Sequence, residues 1–372
     1  MTSEAELPLL TAKVLGAAFA LAVAFGAIAQ HTRFCTMGAI ADIVTMGDWT
    51  RLRAWLLAIA VAVLGFNTMV AFGLVQARHT LYAAPTLLWL SHAVGGVLFG
   101  LGMVLASGCG SKTLVRIGAG NLKSLVVFLV VGLAAYATLR GIVAVGRVAS
   151  IDTVSVVLPT GQDLPSLLAG AGGIGQKTWA HGLSVAFAAA LLAFVLMRRE
   201  GRSAEVLLGG LGIGAVVVAV WWVSGRLSYL AEHPLTLEET FLATNSRRME
   251  SLSFVAPLAY TLDWLILFSD KSKVLTIGIV SVVGVVVGSA LVALASGSFR
   301  WEGFRGAEDT ANHLVGGALM GVGGVLALGC TVGQGISGIS TLSLGSFITL
   351  AGIVAGAVLS LRWQAWRMER QA

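Results

Sequence analysis

The chain has 372 residues, of which 57% are hydrophobic and only 11% charged. A soluble domain carries about 25% charged residues, so these charges cannot cover a water-facing surface, and lipid is the expected surrounding. The net charge of +6 does not point to nucleic acid, because the basic residues stand singly or in short clusters between apolar stretches, as loop anchors do.

In chain order, nine apolar stretches reach the roughly 17–25 residues that cross a bilayer. They are 13–30, 54–76, 88–106, 122–146, 180–197, 205–223, 274–295, 312–329 and 346–363. The first lacks an A-x-A-like site and runs too long for a signal h-region, so no cleavable signal peptide is expected. The longest polar gaps are 147–179 and 224–273, and no soluble domain fits between the spans. The second gap holds SLSFVAPLAYTLDWLILF (251–268), which Pro257 interrupts and Asp263 charges, so it is not read as a span. Glycine is abundant at 47 residues, as suits closely packed membrane helices and broken backbone lining a cavity. The expected fold is an all-α polytopic membrane protein with about nine transmembrane helices.

Internal repetition is the strongest feature. HAVGGVLFGLGMVLASGC begins at His92 and HLVGGALMGVGGVLALGC begins at His313. A His, a GG pair and a terminal GC recur at constant spacing, which marks a duplication. Spans one to four form the first repeat and spans six to nine the second, with span five between them. The expected division is 1–150 for the first repeat, 151–204 for the linker with one transmembrane helix, and 205–372 for the second repeat. A single linking span makes the second half start on the opposite side of the bilayer. The result is an inverted-topology repeat with its substrate site near the midplane. The excess of Lys and Arg on one set of connections predicts the N-terminus outside and the C-terminus in the cytoplasm.

Four short motifs follow spans: RFCTMGAIADI (33–43), GCGSKTLVRIG (108–118), SLSFVAPL (251–258) and GCTVGQGISGIS (329–340). They are too short and too polar or Gly-rich to span, so they are expected as re-entrant half-helices pointing inward. The three cysteines, Cys35, Cys109 and Cys330, all lie in them. Gly108, Gly110 and Gly329 flank the two duplicated thiols and permit positive φ and close approach of a ligand. Free N–H groups at a helix start favour an anion, and Lys112 or Arg33 would add positive charge. Gln334 follows Cys330 in the same Gly-rich turn. Oxyanions are commonly held by N–H, Ser, Thr, Lys or Arg alone, so sulfur at three points suggests a substrate with a soft sulfur atom. Aligning the first and third motifs sets Ser253 opposite Cys35, as a candidate contact without thiol chemistry.

Blander readings stand beside these. A free Cys is often a small buried hydrophobe, but three at motif positions, two matched by duplication, argue otherwise. Thiols entering from opposite faces need not reach bridging distance. No C-x-x-C or Cys/His spacing signals a metal, and no cofactor is called for. His92 and His313 fit interface anchors better than proton or haem ligands. Arg140 inside an apolar span is either functional or a snorkelling charge. Asp263 with Lys271 or Lys273 reads as an interface feature.

The paired GC motifs, RFCTMGAI and the duplicated halves resemble the YeeE/YedE-type sulfur-transport family, whose best-understood members are thiosulfate permeases. The resemblance covers nearly the whole chain. It implies an hourglass-shaped inner-membrane protein in which thiosulfate passes between thiols, here Cys330, Cys109 and Cys35, with Ser253 lacking a fourth thiol. It also implies a small cytoplasmic sulfur-carrier protein as partner. The residues themselves leave two alternatives open. One is a membrane sulfur-transfer or redox enzyme using the same thiols, and the other is a structural subunit that only docks a partner. Sulfite and selenium compounds remain candidate substrates beside thiosulfate.

Overall fold

The computed structural model describes residues 6–171 and 175–371. Fourteen α-helices follow in chain order among them: α1 Leu7–His31, α2 Thr36–Met46, α3 Thr50–Ala71, α4 Trp89–Leu105, α5 Gly110–Gly118, α6 Leu122–Arg140, α7 Ile142–Ala149, α8 Leu164–Ala171, α9 Gln176–Leu196, α10 Ala204–Trp222, α11 Ala256–Ile266, α12 Ile277–Ala295, α13 Ala307–Leu326 and α14 Leu344–Gln371. Two antiparallel pairs of two-residue strands, Thr86–Leu87 with Val156–Val157 and Tyr229–Leu230 with Thr240–Phe241, are the sheets among the described residues. The chain is thus an all-α polytopic membrane protein. A helix stands at each of the nine expected spans, and among the described residues eight helical segments are long and apolar enough to cross a membrane. The remaining long helix, α13, carries Glu308 and Asp309 in its first turn.

Polar residues set where the helices begin. Asp48 accepts from the backbone N–H and hydroxyl of Thr50 at 2.9 and 2.6 Å, starting α3. Asn121 accepts from Ser124 N at 2.8 Å and starts α6. Ser203 and Thr276 cap α10 and α12 in the same way. Each cap satisfies one of the free N–H groups that a helix start exposes.

Two expected boundaries move. The span 54–76 stops at Ala71, because Gly73 turns the chain at φ +71°. The span 122–146 ends at Arg140, where Gly141 is extended and α7 starts as a separate helix. As expected, the piece at 251–268 is no span: it starts as irregular chain, and α11 covers only Ala256–Ile266 with Pro257 in its first turn, where a missing N–H costs nothing.

Glycines decide the packing. The two duplicated helices touch: a Cβ on Gly95 would lie 2.7 Å from Gly323 O, and one on Gly102 would lie 2.6 Å from Gly316 O. Residue numbers rise along α4 as they fall along α13, so the two helices run antiparallel. Gly96 and Gly100 face α14 at Thr349 and Ile353, while Gly317 and Gly321 face α6 at Val130 and Val131. In the duplicated segments Gly95, Gly96, Gly100 and Gly102 align with Gly316, Gly317, Gly321 and Gly323. Each aligned glycine therefore meets the counterpart of its partner's neighbour. A second pair of contacts, α1 on α12 and α10 on α3, completes the core. By contrast α9 lies at the rim, with 22% of its apolar window buried against 67% for α3. Without a water-driven force between helices in lipid, this close backbone approach is what holds them.

Gly102→Leu should therefore push α4 off α13 and cost about 1–3 kcal/mol. Gly182→Ala, on α9 with nothing within 4 Å of the added Cβ, should be neutral or slightly stabilising. Thermal unfolding of the purified protein in detergent distinguishes the two, and equal midpoints for both variants would contradict this packing.

A candidate anion pathway through three thiols

Each cysteine closes a break in the backbone. Cys35 is the N-cap of α2, and its Sγ accepts from Gly38 N at 3.3 Å. Cys109 is the N-cap of α5, with its Sγ 3.3 Å from Ser111 Oγ. Cys330 precedes a π-helical turn, Gly333–Gly338, and its Sγ accepts from Gly333 N at 3.4 Å. The backbone N–H of Phe254 also donates to Cys330. Cys109 and Cys330 are fully buried, Cys35 is half-buried, and all three are free thiols. Cys109 lies within electrostatic range of both of the others.

The breaks share one backbone device, and it is not the expected one. The positive φ falls on Arg33, Ser107 and Leu328, at +53°, +56° and +55°. Each stands two residues before its cysteine. Gly108, Gly110 and Gly329 have ordinary φ and serve close packing instead. A Cβ on Gly108 would lie 3.2 Å from Lys112, one on Gly110 3.4 Å from Phe254 O, and one on Gly329 3.1 Å from Gln334. The fourth motif departs from this pattern. No residue of 251–255 has positive φ, and the N-cap of α11 is Val255, two residues past Ser253. Ser253 instead packs on Gly333, where an added Cβ would lie 2.4 Å from its Oγ.

Two pockets flank the thiols. One is narrow, about 110 Å³, and is lined by Tyr82, Glu250, Ser253, Ser281 and Gly329 among others. The other is a basin of about 520 Å³ that contains His31, Arg33, Lys112, Arg116 and Arg300, with Glu302 as its carboxylate. Helix α12 joins them. Ser281 lines the narrow pocket and Val292 lines the basin, which at 1.5 Å per residue separates them by about 16 Å. Gly329 of the narrow pocket adjoins Cys330, and Lys112 of the basin is an electrostatic neighbour of both Cys35 and Cys109. Phe254 packs at these breaks. Its side chain is fully buried, sits against Gly110 and meets Phe25 in a tilted ring pair, 5.5 Å between centroids.

The other sequence candidates lie in defined hydrogen-bonding surroundings. Gln334 is fully buried; its amide donates to Ala327 O and its carbonyl accepts from Ser346 Oγ at 2.6 Å, so it ties the turn to its surroundings. His92 pairs with Thr349 at 2.8 Å and His313 with Asp309 at 3.1 Å, as structural groups. Arg140 is the last residue of α6, in electrostatic range of Asp263, which Lys273 binds at 2.6 Å. Three other groups carried no distinguishing signal in the sequence. The Oγ atoms of Thr331 and Ser281 and the Nε1 of Trp55 are buried without a hydrogen-bond partner. Thr331 adjoins Cys330, and Ser281 lines the narrow pocket. Buried polar atoms of this kind stand ready for a polar ligand or water.

Because only Cys35 is partly accessible, a polar thiol reagent added to the purified protein should modify about one cysteine quickly, since exposure controls thiol reactivity. Cys35→Ser should remove that fast phase. Fast labelling that survives Cys35→Ser would contradict the burial of Cys109 and Cys330.

Comparison with known proteins places the chain among sulfur transporters. Over 359 residues, 93% of this chain and 94% of the relative, the chain is 28% identical to the thiosulfate transporter TsuA of Escherichia coli (strain K12). It is 25% identical over 361 residues to the thiosulfate transporter TsuA of Spirochaeta thermophila, covering 89% of this chain and 93% of that one. A shorter match of 109 residues, 29% identical and covering 29% of this chain and 25% of the relative, is to the probable transporter YedE of Salmonella typhimurium. The Sulphur transport family model matches residues 31–359, a stretch that takes in all three thiols, the narrow pocket and all of the basin but Gln30, and the chain belongs to that family.

Proposed function

We propose that this chain is an inner-membrane permease for thiosulfate, which enters at the narrow pocket and leaves at the basic basin past Cys330, Cys109 and Cys35. As a member of the Sulphur transport family it is a multi-pass membrane transporter of a sulfur anion, and not an enzyme. The full-length similarity to two thiosulfate transporters favours thiosulfate over sulfite or selenium compounds. The observation that carries the proposal is the set of three free thiols at backbone breaks between two pockets at opposite ends of α12.

The chemistry suits the substrate. Thiosulfate has a soft terminal sulfur and three hard oxygens. A thiol can donate a weak S–H hydrogen bond to the first, while backbone N–H groups and the Thr331 hydroxyl suit the second. The basin then draws a dianion onward, with five basic side chains against one carboxylate. Positive charge in a cleft raises the local anion concentration. With Lys and Arg concentrated at this end, the basin faces the cytoplasm, the N-terminus lies outside and the C-terminus inside. A small cytoplasmic sulfur-carrier protein would collect the product there. The antiparallel contact of α4 with α13, and the exchange of neighbours between aligned glycines, support inverted repeats over 1–150 and 205–372 joined by α9 in 151–204. The burial of Cys109, Cys330 and Phe254 supports an hourglass that admits substrate only when the centre yields.

In proteoliposomes, Cys109→Ser or Cys330→Ser should abolish thiosulfate uptake while leaving the protein monodisperse and its unfolding midpoint unchanged. Normal transport by both variants would end the thiol-relay reading. Competition by unlabelled thiosulfate, sulfite, sulfate and selenite should rank thiosulfate first.

A further inference from the structure

The narrow pocket holds one carboxyl that the thiol pathway does not use. Glu250 lines it beside Tyr82, Ser253, Ser281 and Gly329. One carboxylate oxygen accepts from Ser246 N at 2.8 Å and from the Ser246 hydroxyl. The Glu250 backbone carbonyl accepts from the Ser224 hydroxyl, which pins the residue to the end of α10. Four other inward carboxylates have cations: Asp42 has Arg51, Asp152 has Arg147, Asp263 has Lys273 and Asp309 has Lys123; Asp163, outside the narrow pocket, has none among the described residues and is held by hydrogen bonds from Ser166. Among the described residues, no lysine or arginine pairs with Glu250.

Its surroundings can be named element by element. The turn after α3 presents the Tyr82 phenol and α11 presents the Tyr260 phenol, both in electrostatic range. Helix α12 and the segment before Cys330 contribute Ser281, Leu328 and Gly329, which carry no charge. On its own segment, Arg247 is exposed, and Arg248 acts on His79, which pairs with Glu239 at 3.3 Å. Burial pushes the Glu250 carboxyl above the usual carboxylate range, against the lowering effect of its Ser246 hydrogen bonds. The neutral acid therefore persists to higher pH than in water, and negative charge returns as pH rises through that raised value.

A dianion and a carboxylate cannot share so small and poorly screened a space without strong repulsion. We propose that Glu250 is a proton site linked to the anion site, so that thiosulfate enters the narrow pocket together with a proton bound on this carboxyl. The inference rests on the permease reading. Linkage is reciprocal: if the proton favours the anion, the anion favours the proton. The proton comes from water at the pocket mouth and forms the O–H bond of the neutral acid, which can then donate a hydrogen bond to the anion.

The test is radiolabelled thiosulfate uptake into proteoliposomes, with the pH on the narrow-pocket side varied from about 5 to about 8. Wild-type KM should rise with pH, approaching tenfold per unit above the carboxyl's raised pKa, while Vmax changes little. Glu250→Gln should hold KM near its low-pH value throughout. Glu250→Asp, which keeps a carboxyl, should keep the pH dependence with a shifted midpoint and serves if the Gln variant fails to fold. A pH-independent wild-type KM, a Gln variant that still follows pH, or a flat Asp profile would overturn the linkage alone. Wild-type liposomes no better than empty ones would overturn the permease reading and the linkage with it.

Discussion

The centre of this protein is governed by what a broken backbone requires in an apolar interior. An interrupted helix exposes N–H and C=O groups, and lipid offers them nothing. The chain meets the need locally. Cys35 and Cys330 accept backbone N–H groups, Thr113 donates to Cys109 O at 3.0 Å, and Ser337 donates to Leu252 O at 2.8 Å. Asn67 reaches from α3 to Ser340 O at 2.8 Å, and the same serine accepts from Trp221 Nε1 at 3.0 Å. The thiols of Cys35 and Cys330 are thus structural caps, while that of Cys109 meets the Ser111 hydroxyl; all three stand at the breaks.

That double use constrains mechanism. A sulfur atom that accepts a backbone N–H is held in place, while its own S–H stays available to a passing ligand. The pockets on either side differ in the opposite sense. The basin is wide and basic; the other is small, aromatic-edged and carries a lone carboxyl. On the proposed route, an anion would move from a site that tolerates it conditionally to one that attracts it, past the buried Phe254.

The glycines explain how the centre is compressed enough for this. Gly95 and Gly102 on α4, with Gly316 and Gly323 on α13, let two backbones approach until a methyl group would collide with a peptide oxygen. The same duplication supplies both partners, so one solution to close packing is used twice. The histidines that mark the repeat, His92 and His313, then fall to separate structural duties on Thr349 and Asp309.

Much of this was readable before any coordinates. Runs of about 20 apolar residues can only be satisfied by helices, so nine helix positions were legible, and the repeated H…GG…GC spacing made Cys109 and Cys330 stand out. Local chemistry misled in places. Glycines beside the thiols suggested positive φ, yet the left-handed residues are Arg33, Ser107 and Leu328, because the turn is set by how each span ends. Gln334, a candidate contact in the sequence, is also hydrogen-bonded at both ends of its amide, which only packing shows. The orphaned hydroxyls of Thr331 and Ser281, and Glu250 without a cation, have no local signature. Whether a polar group is satisfied depends on residues far away in the chain, brought near by folding. Periodicity and hydropathy are properties of neighbours in sequence, and they determined the helices, the repeat and the thiols. Pairing, burial and access are properties of neighbours in space, and tertiary structure alone decided them.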